Sequence, residues 1–124
     1  MFYNQSLLKS FKYAFEGVFF AFKLNRNIRI HFLVALIVIL VSLYLKVSPF
    51  EMSILGIMII LVISSEMINT AIEEMVDLIV SEHRKEAKIA KDVAAGMVLV
   101  TSIGSVVVGI LIFAPHILRL FSIE

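Results

Sequence analysis

Four polar residues share one face of a predicted helix at the end of a strongly apolar stretch: Glu66, Asn69, Glu73 and Asp77. At 100° per helical residue their side chains fall within about 80° of arc, so one helix presents all four together. Glu66 directly follows the apolar run that begins at Ile54, which places its carboxylate at the boundary of a bilayer. A charged group at that depth costs on the order of a few kcal/mol and therefore marks a candidate functional site. The alternative is that Glu66 only packs helices together through a hydrogen bond.

The residue types in this segment suit phosphoryl transfer. That reaction needs a group that positions or deprotonates the nucleophile, carboxylates that hold Mg²⁺, and a cation that faces the phosphates. Glu66 is the candidate proton acceptor for an alcohol held at the membrane interface. Glu73 and Asp77 lie nearer the polar end of the helix, where they would meet a magnesium–nucleotide complex. Lys91 and Asp92 open the next apolar stretch, and a lysine side chain there can reach phosphates at the interface.

No familiar nucleotide-binding loop accompanies these side chains. Gly104 and Gly109 have the spacing of the first two P-loop glycines, but no Lys-Ser/Thr pair follows them and both lie in an apolar stretch. If the chain binds a nucleotide, it therefore does so through side chains.

The composition is that of a membrane protein. The chain has 124 residues, of which 60 % are hydrophobic, and a mean hydropathy of +1.01. These values predict an all-α integral membrane protein with a single domain, residues 1–124. A net charge of +1 without a long basic run argues against nucleic-acid binding. The absence of cysteine excludes disulfides and thiolate metal sites. The three histidines, His31, His83 and His116, are too scattered in sequence to predict a metal cluster.

Residues 5 to 24 are predicted to form an amphipathic helix. Phe11, Phe15, Val18 and Phe22 recur at helical spacing, and the lysines of the segment lie elsewhere. Such a helix either lies in the membrane interface or packs against the helical bundle, and the pattern leaves both possibilities open.

Three further apolar stretches predict membrane-spanning helices. Their expected bounds are 32 to 45 (extendable to 47), 52 to 72, and 93 to 114. A tight turn at Ser48-Pro49 joins the first two as an antiparallel hairpin. The polar segment 73–92 is expected to continue the second helix, break near 81–83, and then approach the third. Pro115 is expected to end the third helix.

The distribution of lysine and arginine predicts the orientation in the cytoplasmic (inner) membrane. Five of these residues precede position 30 and four lie in 73–92, against one in the 46–52 turn. The N-terminus and the segment 73–92 are therefore predicted to be cytoplasmic, and only Arg119 opposes this assignment weakly. The candidate chemistry then faces the compartment that contains ATP.

Small residues recur every fourth position on the third predicted span, at Thr101, Ser105 and Gly109. Such a stripe lets helices approach closely. It is compatible with association between copies of the chain and with packing inside one copy.

Two motifs of the chain closely resemble those of a known family. They read Glu66-x-x-Asn69-Thr70-Ala71-Ile72-Glu73-x-x-Val76-Asp77 and Lys91-Asp92-x-Ala94-Ala95-Gly96. The family is that of the prokaryotic diacylglycerol kinases, small lipid kinases with three membrane spans. The resemblance covers nearly the whole chain, starting at the segment 10–17. The Ala94-Ala95-Gly96 and Arg29-x-His31 segments are more similar to the undecaprenol kinase branch of the family.

The resemblance implies an ATP-dependent kinase of a membrane lipid alcohol, either undecaprenol or diacylglycerol, that uses Mg²⁺. It implies Glu66 as the catalytic base, Asn69 as its essential neighbour, and Glu73 as a metal ligand. Where Asn25 stands, the family often has a metal-binding glutamate, so Asn25 is expected beside the metal but without a negative charge. The family also implies a homotrimer with its sites at subunit interfaces.

The same resemblance implies the remaining site residues. The nucleotide is expected to contact Glu73 and four further residues: Tyr13, Asp77, Lys91 and Asp92. Ala95 is expected beside the lipid together with Glu66. Alanine at positions 94 and 95 offers no hydroxyl to a glycerol headgroup, which favours undecaprenol as the substrate.

Two other interpretations stay open on the sequence alone. One is a non-enzymatic membrane subunit or ion-binding bundle, whose site would lie near the bilayer midplane rather than at its boundary. The other is a degenerate family member, which only Asn25 suggests.

Overall fold

The protein is an all-α membrane protein, as its composition predicts. The computed structural model describes residues 6–122, and four helices make up nearly all of this part of the chain: α1 (Leu7–Leu24), α2 (Arg26–Leu45), α3 (Pro49–Ile79) and α4 (Lys85–Phe121). Helices α2, α3 and α4 are each long and apolar enough to cross a membrane. The first residue of the predicted N-terminal helix, position 5, lies outside the described residues.

Helix α1 makes little contact with the other helices. Ala21 is its only buried residue, and Phe11 and Phe15 of the aromatic stripe are exposed. Phe22 makes an edge-to-face contact with Phe32 of α2, at 5.4 Å between ring centroids. Packing against the bundle therefore explains only one end of the stripe. A position in the membrane interface accounts for the rest.

A short hairpin joins α2 to α3. Lys46 ends α2 in the left-handed conformation, with φ of 54°. Ser48 then caps α3: its hydroxyl accepts from the Glu51 N–H at 3.1 Å, and the Glu51 carboxylate accepts from the Ser48 N–H at 3.0 Å. Pro49 occupies the first helical position, where its missing N–H costs nothing. These contacts account for the tight turn that the sequence predicts here.

Helices α3 and α4 pack antiparallel along most of their length. Three polar contacts, one near each end and one in the middle, fix the register: Asp77 with Lys91, Ser65 with Thr101 (2.9 Å), and Glu51 with His116 (3.1 Å). Since Thr101 bonds to Ser65 of the same chain, the stripe of small residues contributes to packing inside one copy.

The prediction that Pro115 ends the third spanning helix is wrong, because α4 continues to Phe121. Proline removes only one backbone hydrogen bond, the one to the carbonyl of Leu111, and membrane helices tolerate that loss. The next residue, His116, bonds to Glu51 of α3 and holds the last turns of α4 against its neighbour. Other boundaries also differ: α2 begins at Arg26 rather than near 32, α4 begins at Lys85 rather than near 93, and the break expected near 81–83 covers residues 80–84.

Removing the His116 side chain should loosen this end of the helix pair. We expect His116→Ala to lower the midpoint of thermal unfolding in detergent by roughly 3–6 °C, the shift typical of one lost interaction in a domain of this size. His83→Ala, in the exposed segment between α3 and α4, is the matched control and should leave the midpoint in place. Equal midpoints for His116→Ala and the wild type would show that the contact does not stabilise the pair.

Candidate active site

The carboxylate of Glu66 lies inside the helical bundle, where the residue is 2 % exposed. Its two oxygens face different neighbours. Oε2 accepts from Asn25 Nδ2 at 3.1 Å, and Oε1 lies 3.7 Å from His31 Nε2. Burying a carboxylate is costly unless it is paired and hydrogen-bonded. Within residues 6–122 the Glu66 carboxylate has one hydrogen bond and no lysine or arginine partner, so an oxygen stays available to accept a proton.

Asn25 connects the start of the bundle to Glu66. Its backbone N–H donates to the Ala21 carbonyl at 2.9 Å and ends α1, and its Oδ1 accepts from the Asn27 N–H at 2.8 Å and caps α2. The amide nitrogen donates both to Glu66 and to Thr70 Oγ1, the latter at 2.7 Å. Thr70 Oγ1 in turn donates to the backbone carbonyl of Glu66 at 2.9 Å. Both ends of the Asn25 amide therefore have partners, and the amide fixes one Glu66 oxygen in place.

One turn further along α3, Asn69 presents an acceptor that lacks a donor. The residue is buried, and its Nδ2 donates to Glu73 Oε1 at 3.3 Å. Its Oδ1 is buried without a hydrogen-bond partner among the described residues. An unsatisfied buried acceptor costs about 1–3 kcal/mol. This oxygen, beside the Glu73 carboxylate, is therefore a site where a cation or a donor would be stabilised.

An open cavity brings these groups together with α4, and we call it the Glu66 cavity. Its lining residues come from α2, α3 and α4: Asn27, Ile30, His31, Glu66, Asn69, Glu73, Ala95, Val98, Leu99 and Ser102. Ala95 forms part of the wall, whereas its neighbour Ala94 is buried against the bundle. The cavity therefore combines a buried carboxylate, a polar rim on α3 and an apolar wall on α4.

The other predicted site residues on α3 and α4 form a second group beyond the Glu66 cavity. Lys91 Nζ donates to Asp77 Oδ1, and Lys88 Nζ donates to Asp92 Oδ2. Lys91 precedes the apolar part of α4, and its hydrogen bond to Asp77 raises the pKa of the ammonium group above its ordinary value. The charge of Glu73 also raises the pKa of Lys91. Because Glu73 lines the Glu66 cavity, Lys91 is electrostatically linked to that cavity.

The structure places the remaining predicted residues as follows. Tyr13 is half-exposed on α1 and lines neither the Glu66 cavity nor the cleft beside Asp77 and Lys91. Asn25 borders a neighbouring cleft with Asn69 and Glu73. Its role as a metal ligand stays a prediction.

Sequence reasoning missed most of the lining of the Glu66 cavity and its support. The missed residues are His31, Thr70 and Ser102, together with Asn27, Ile30, Val98 and Leu99. A signal for His31 was present, because it lies on the same face of α2 as the buried residues Ile28 and Ala35. Thr70 and Ser102 gave no such signal, since hydroxyls on apolar helices commonly bond to the carbonyl one turn earlier.

The chain is similar to two lipid kinases: it is 42 % identical over 116 residues to the diacylglycerol kinase of Synechocystis sp. and 38 % identical over 109 residues to the undecaprenol kinase of Bacillus subtilis. These alignments cover 93 % and 88 % of this chain, and 66 % and 89 % of the two relatives. A sequence profile described as prokaryotic diacylglycerol kinase matches residues 12–113, and the chain belongs to this family.

Exchanging the Asn25 amide for a carboxylate separates its two possible roles. We expect Asn25→Asp to lower the free energy of unfolding in magnesium-free detergent by about 1–3 kcal/mol, because aspartate still caps α2 but presents a charge instead of an N–H to buried Glu66. The measurement is denaturant unfolding with and without Mg²⁺.

Asn27→Asp is the matched control, since it adds the same charge two residues away and Asn27 makes no hydrogen bond to Glu66. It should cost much less stability than Asn25→Asp. If Mg²⁺ returned Asn25→Asp alone to wild-type stability, position 25 would be a metal position and its donor role secondary.

Proposed function

We propose that the chain is an ATP-dependent kinase of a membrane lipid alcohol, undecaprenol or diacylglycerol. The observation that carries this proposal is the Glu66 carboxylate, buried in a cavity at the point where α3 changes from apolar to polar. Membership of the family, with relatives named for these two lipids, supports the same activity. The site acts at the cytoplasmic face of the inner membrane, in agreement with the excess of lysine and arginine on that side.

Glu66 is the base in this proposal. Asn25 holds Oε2, so Oε1 is the oxygen that faces the substrate hydroxyl. As the alcohol proton moves to Oε1, the alcohol oxygen attacks the γ-phosphorus of ATP, and the bond between that phosphorus and the ADP oxygen breaks. The products are a lipid monophosphate and ADP, and Glu66 is left protonated.

Asn69 and Glu73 fit a magnesium ion. The unpartnered Oδ1 of Asn69 and the exposed carboxylate of Glu73 are hard oxygen donors on adjacent turns. No three histidine, aspartate or glutamate side chains converge on a metal position within residues 6–122. Magnesium usually takes only one or two protein carboxylates and fills its remaining positions with phosphates and water. When bound, the ion would neutralise charge on the transferred phosphoryl group.

The nucleotide is proposed to lie between the two groups of polar residues. Beyond the Glu66 cavity, a second cleft is lined by Asp77, Lys91 and Asp92, and Lys91 is held there by Asp77 as a charged donor. Glu73 stands between this cleft and Asn69. Tyr13 and Asn25 are further proposed contacts, to the nucleotide and to the metal respectively. Asn25 Oδ1 already accepts one hydrogen bond, from the Asn27 N–H, and keeps one lone pair for such a role.

The lipid is proposed to enter along the apolar wall of α4. Ala95 on this wall offers no hydroxyl, which suits the bare terminal alcohol of undecaprenol. Ser102 lies in the same cavity and offers a hydroxyl that could serve a glycerol headgroup. Its own hydroxyl makes no hydrogen bond among the described residues. The preference for undecaprenol therefore depends on whether Ser102 contacts the substrate.

The active assembly is proposed to be a homotrimer. The family resemblance supports this, as does the open side of the Glu66 cavity, where Glu73 and Ala95 are exposed. A neighbouring copy would cover that side and complete the site. Native mass spectrometry of the protein in mild detergent measures the number of chains directly.

A direct competition between lipids tests the proposed activity. Purified protein is supplied with Mg²⁺, radiolabelled ATP, and undecaprenol and diacylglycerol at equal mole fraction in one bilayer. We expect both lipids to be labelled and undecaprenol to be labelled faster. Ser102→Ala should lower the labelling of diacylglycerol alone if its hydroxyl serves the glycerol headgroup. Labelling of neither lipid by the wild type would reject the kinase proposal.

Replacing Glu66 tests its role as the base. We expect Glu66→Gln to keep the fold, because glutamine preserves the shape and an acceptor for Asn25, and to lower kcat roughly 10²–10⁴-fold. Circular dichroism and the thermal midpoint verify the fold, and phosphate transfer to lipid measures kcat. Glu16→Gln, on the exposed side of α1, is the matched control and should retain the wild-type rate. Near-native turnover in Glu66→Gln would reject the assignment.

A further inference from the structure

Glu66 lines the Glu66 cavity, but little of its side chain is accessible to water there. Only 3 % of its side chain is exposed, and Asn25 occupies one of its oxygens. The other oxygen faces His31, of which 23 % of the side chain is exposed. A base that takes a proton in each turnover must return it to solvent before the next, so the neighbour of the free oxygen matters for the reaction.

His31 lies 3.7 Å from that oxygen. It lines the Glu66 cavity and also the apolar groove that continues between α2, α3 and α4, past Val34 and Met58. The titratable groups that face it across the cavity are Glu66 and Glu73, both on α3. Helix α4 contributes Ala95, Val98, Leu99 and Ser102 to this cavity, none of which titrates near neutral pH.

The distance between the two side chains fits proton exchange better than a permanent ion pair. At the other end of the bundle, His116 Nε2 lies 3.2 and 3.1 Å from the two oxygens of Glu51. These distances are those of a hydrogen-bonded contact between α3 and α4. His31 Nε2 lies 3.7 Å from Glu66 Oε1, outside hydrogen-bond distance. Orientation of the carboxylate is already supplied by Asn25. A small rotation of the ring or one water molecule would close the gap during turnover.

We propose that His31 is the proton relay of Glu66, a role that rests on the proposed kinase activity. After phosphoryl transfer, protonated Glu66 passes its proton from Oε1 to Nε2 of the neutral imidazole, and the carboxylate is regenerated. The imidazolium then releases a proton to water in the cavity and returns to its neutral form. No oxidant, reductant or further reactant is needed. Imidazole suits this step, because one ring nitrogen can accept a proton while the other releases one.

Removing the imidazole and then supplying it in solution tests the relay. We expect both His31→Gln and His31→Ala to lower kcat by roughly tenfold or more while the KM for magnesium-ATP stays within about twofold, because the relay acts on proton return and not on binding. Free imidazole should then restore the rate of His31→Ala, in proportion to its neutral form as the pH is varied. His31→Gln should gain little, because glutamine fills the space that imidazole would occupy.

The controls separate the relay from a structural role and from the proposed function. His116→Gln, at the opposite end of the bundle from the Glu66 cavity and still able to hydrogen-bond to Glu51, should keep the wild-type rate with or without imidazole. A loss in His31→Ala that no concentration of imidazole relieves would overturn the relay, and so would variants within twofold of the wild-type kcat. If the wild type itself transferred no phosphate to lipid in the same assay, the proposed kinase activity would fail first, and the relay with it.

Discussion

The site depends on the two N–H groups of one amide, that of Asn25. One of them reaches the carboxylate of Glu66 and the other reaches Thr70, so that the junction of α1 and α2 is tied to the middle of α3. The oxygen of the same amide caps the N-terminus of α2 by accepting from the Asn27 N–H. Without this residue the buried carboxylate would lose its only hydrogen bond among the described residues. Arg29 reinforces the junction, because its guanidinium donates to the carbonyls of Phe22 and Lys23 at the end of α1.

This junction explains how a uniformly apolar bundle can hold a charged group. The spanning helices bury few residues in one another, and most of their apolar surface faces outward. Lipid covers such surface at no cost, so packing between helices must come from close approach and from polar contacts. The contacts of α3 with its neighbours are of this kind: Ser65 with Thr101 in the middle, and Glu51 with His116 at one end. Glu66 is the buried carboxylate of α3, and its hydrogen bond to Asn25 uses only one of its oxygens.

The sequence was a good guide to the helices and a partial guide to the site. Apolar length predicted three spans, and the helical period brought Glu66, Asn69 and Glu73 onto one face because α3 is continuous through this region. The helical period could not predict that α4 continues past Pro115. The contact that holds the helix beyond this residue involves Glu51, 64 residues earlier in the chain. The period also could not reveal that the Asn25 amide points its nitrogen at Glu66, because hydrogen bonds between helices depend on rotation and depth and not on spacing. The same limit applies to His31, whose face was predictable but whose partner was not.

The continuous α3 helix also relates the thickness of the bilayer to the depth of the carboxylate. Its 31 residues extend about 46 Å at 1.5 Å per residue, well beyond the ~30 Å of a hydrocarbon core. Glu66 lies 15 residues from Glu51, which is in the first turn of α3, so about 22 Å of helix separates the two side chains. If the capped Ser48–Glu51 turn is anchored at one membrane surface, Glu66 would lie several ångströms below the other surface of a ~30 Å hydrocarbon core. In thinner membranes it would move towards the headgroups. Hydrophobic mismatch thus becomes a physical variable of this site, set by the lipid composition around the protein.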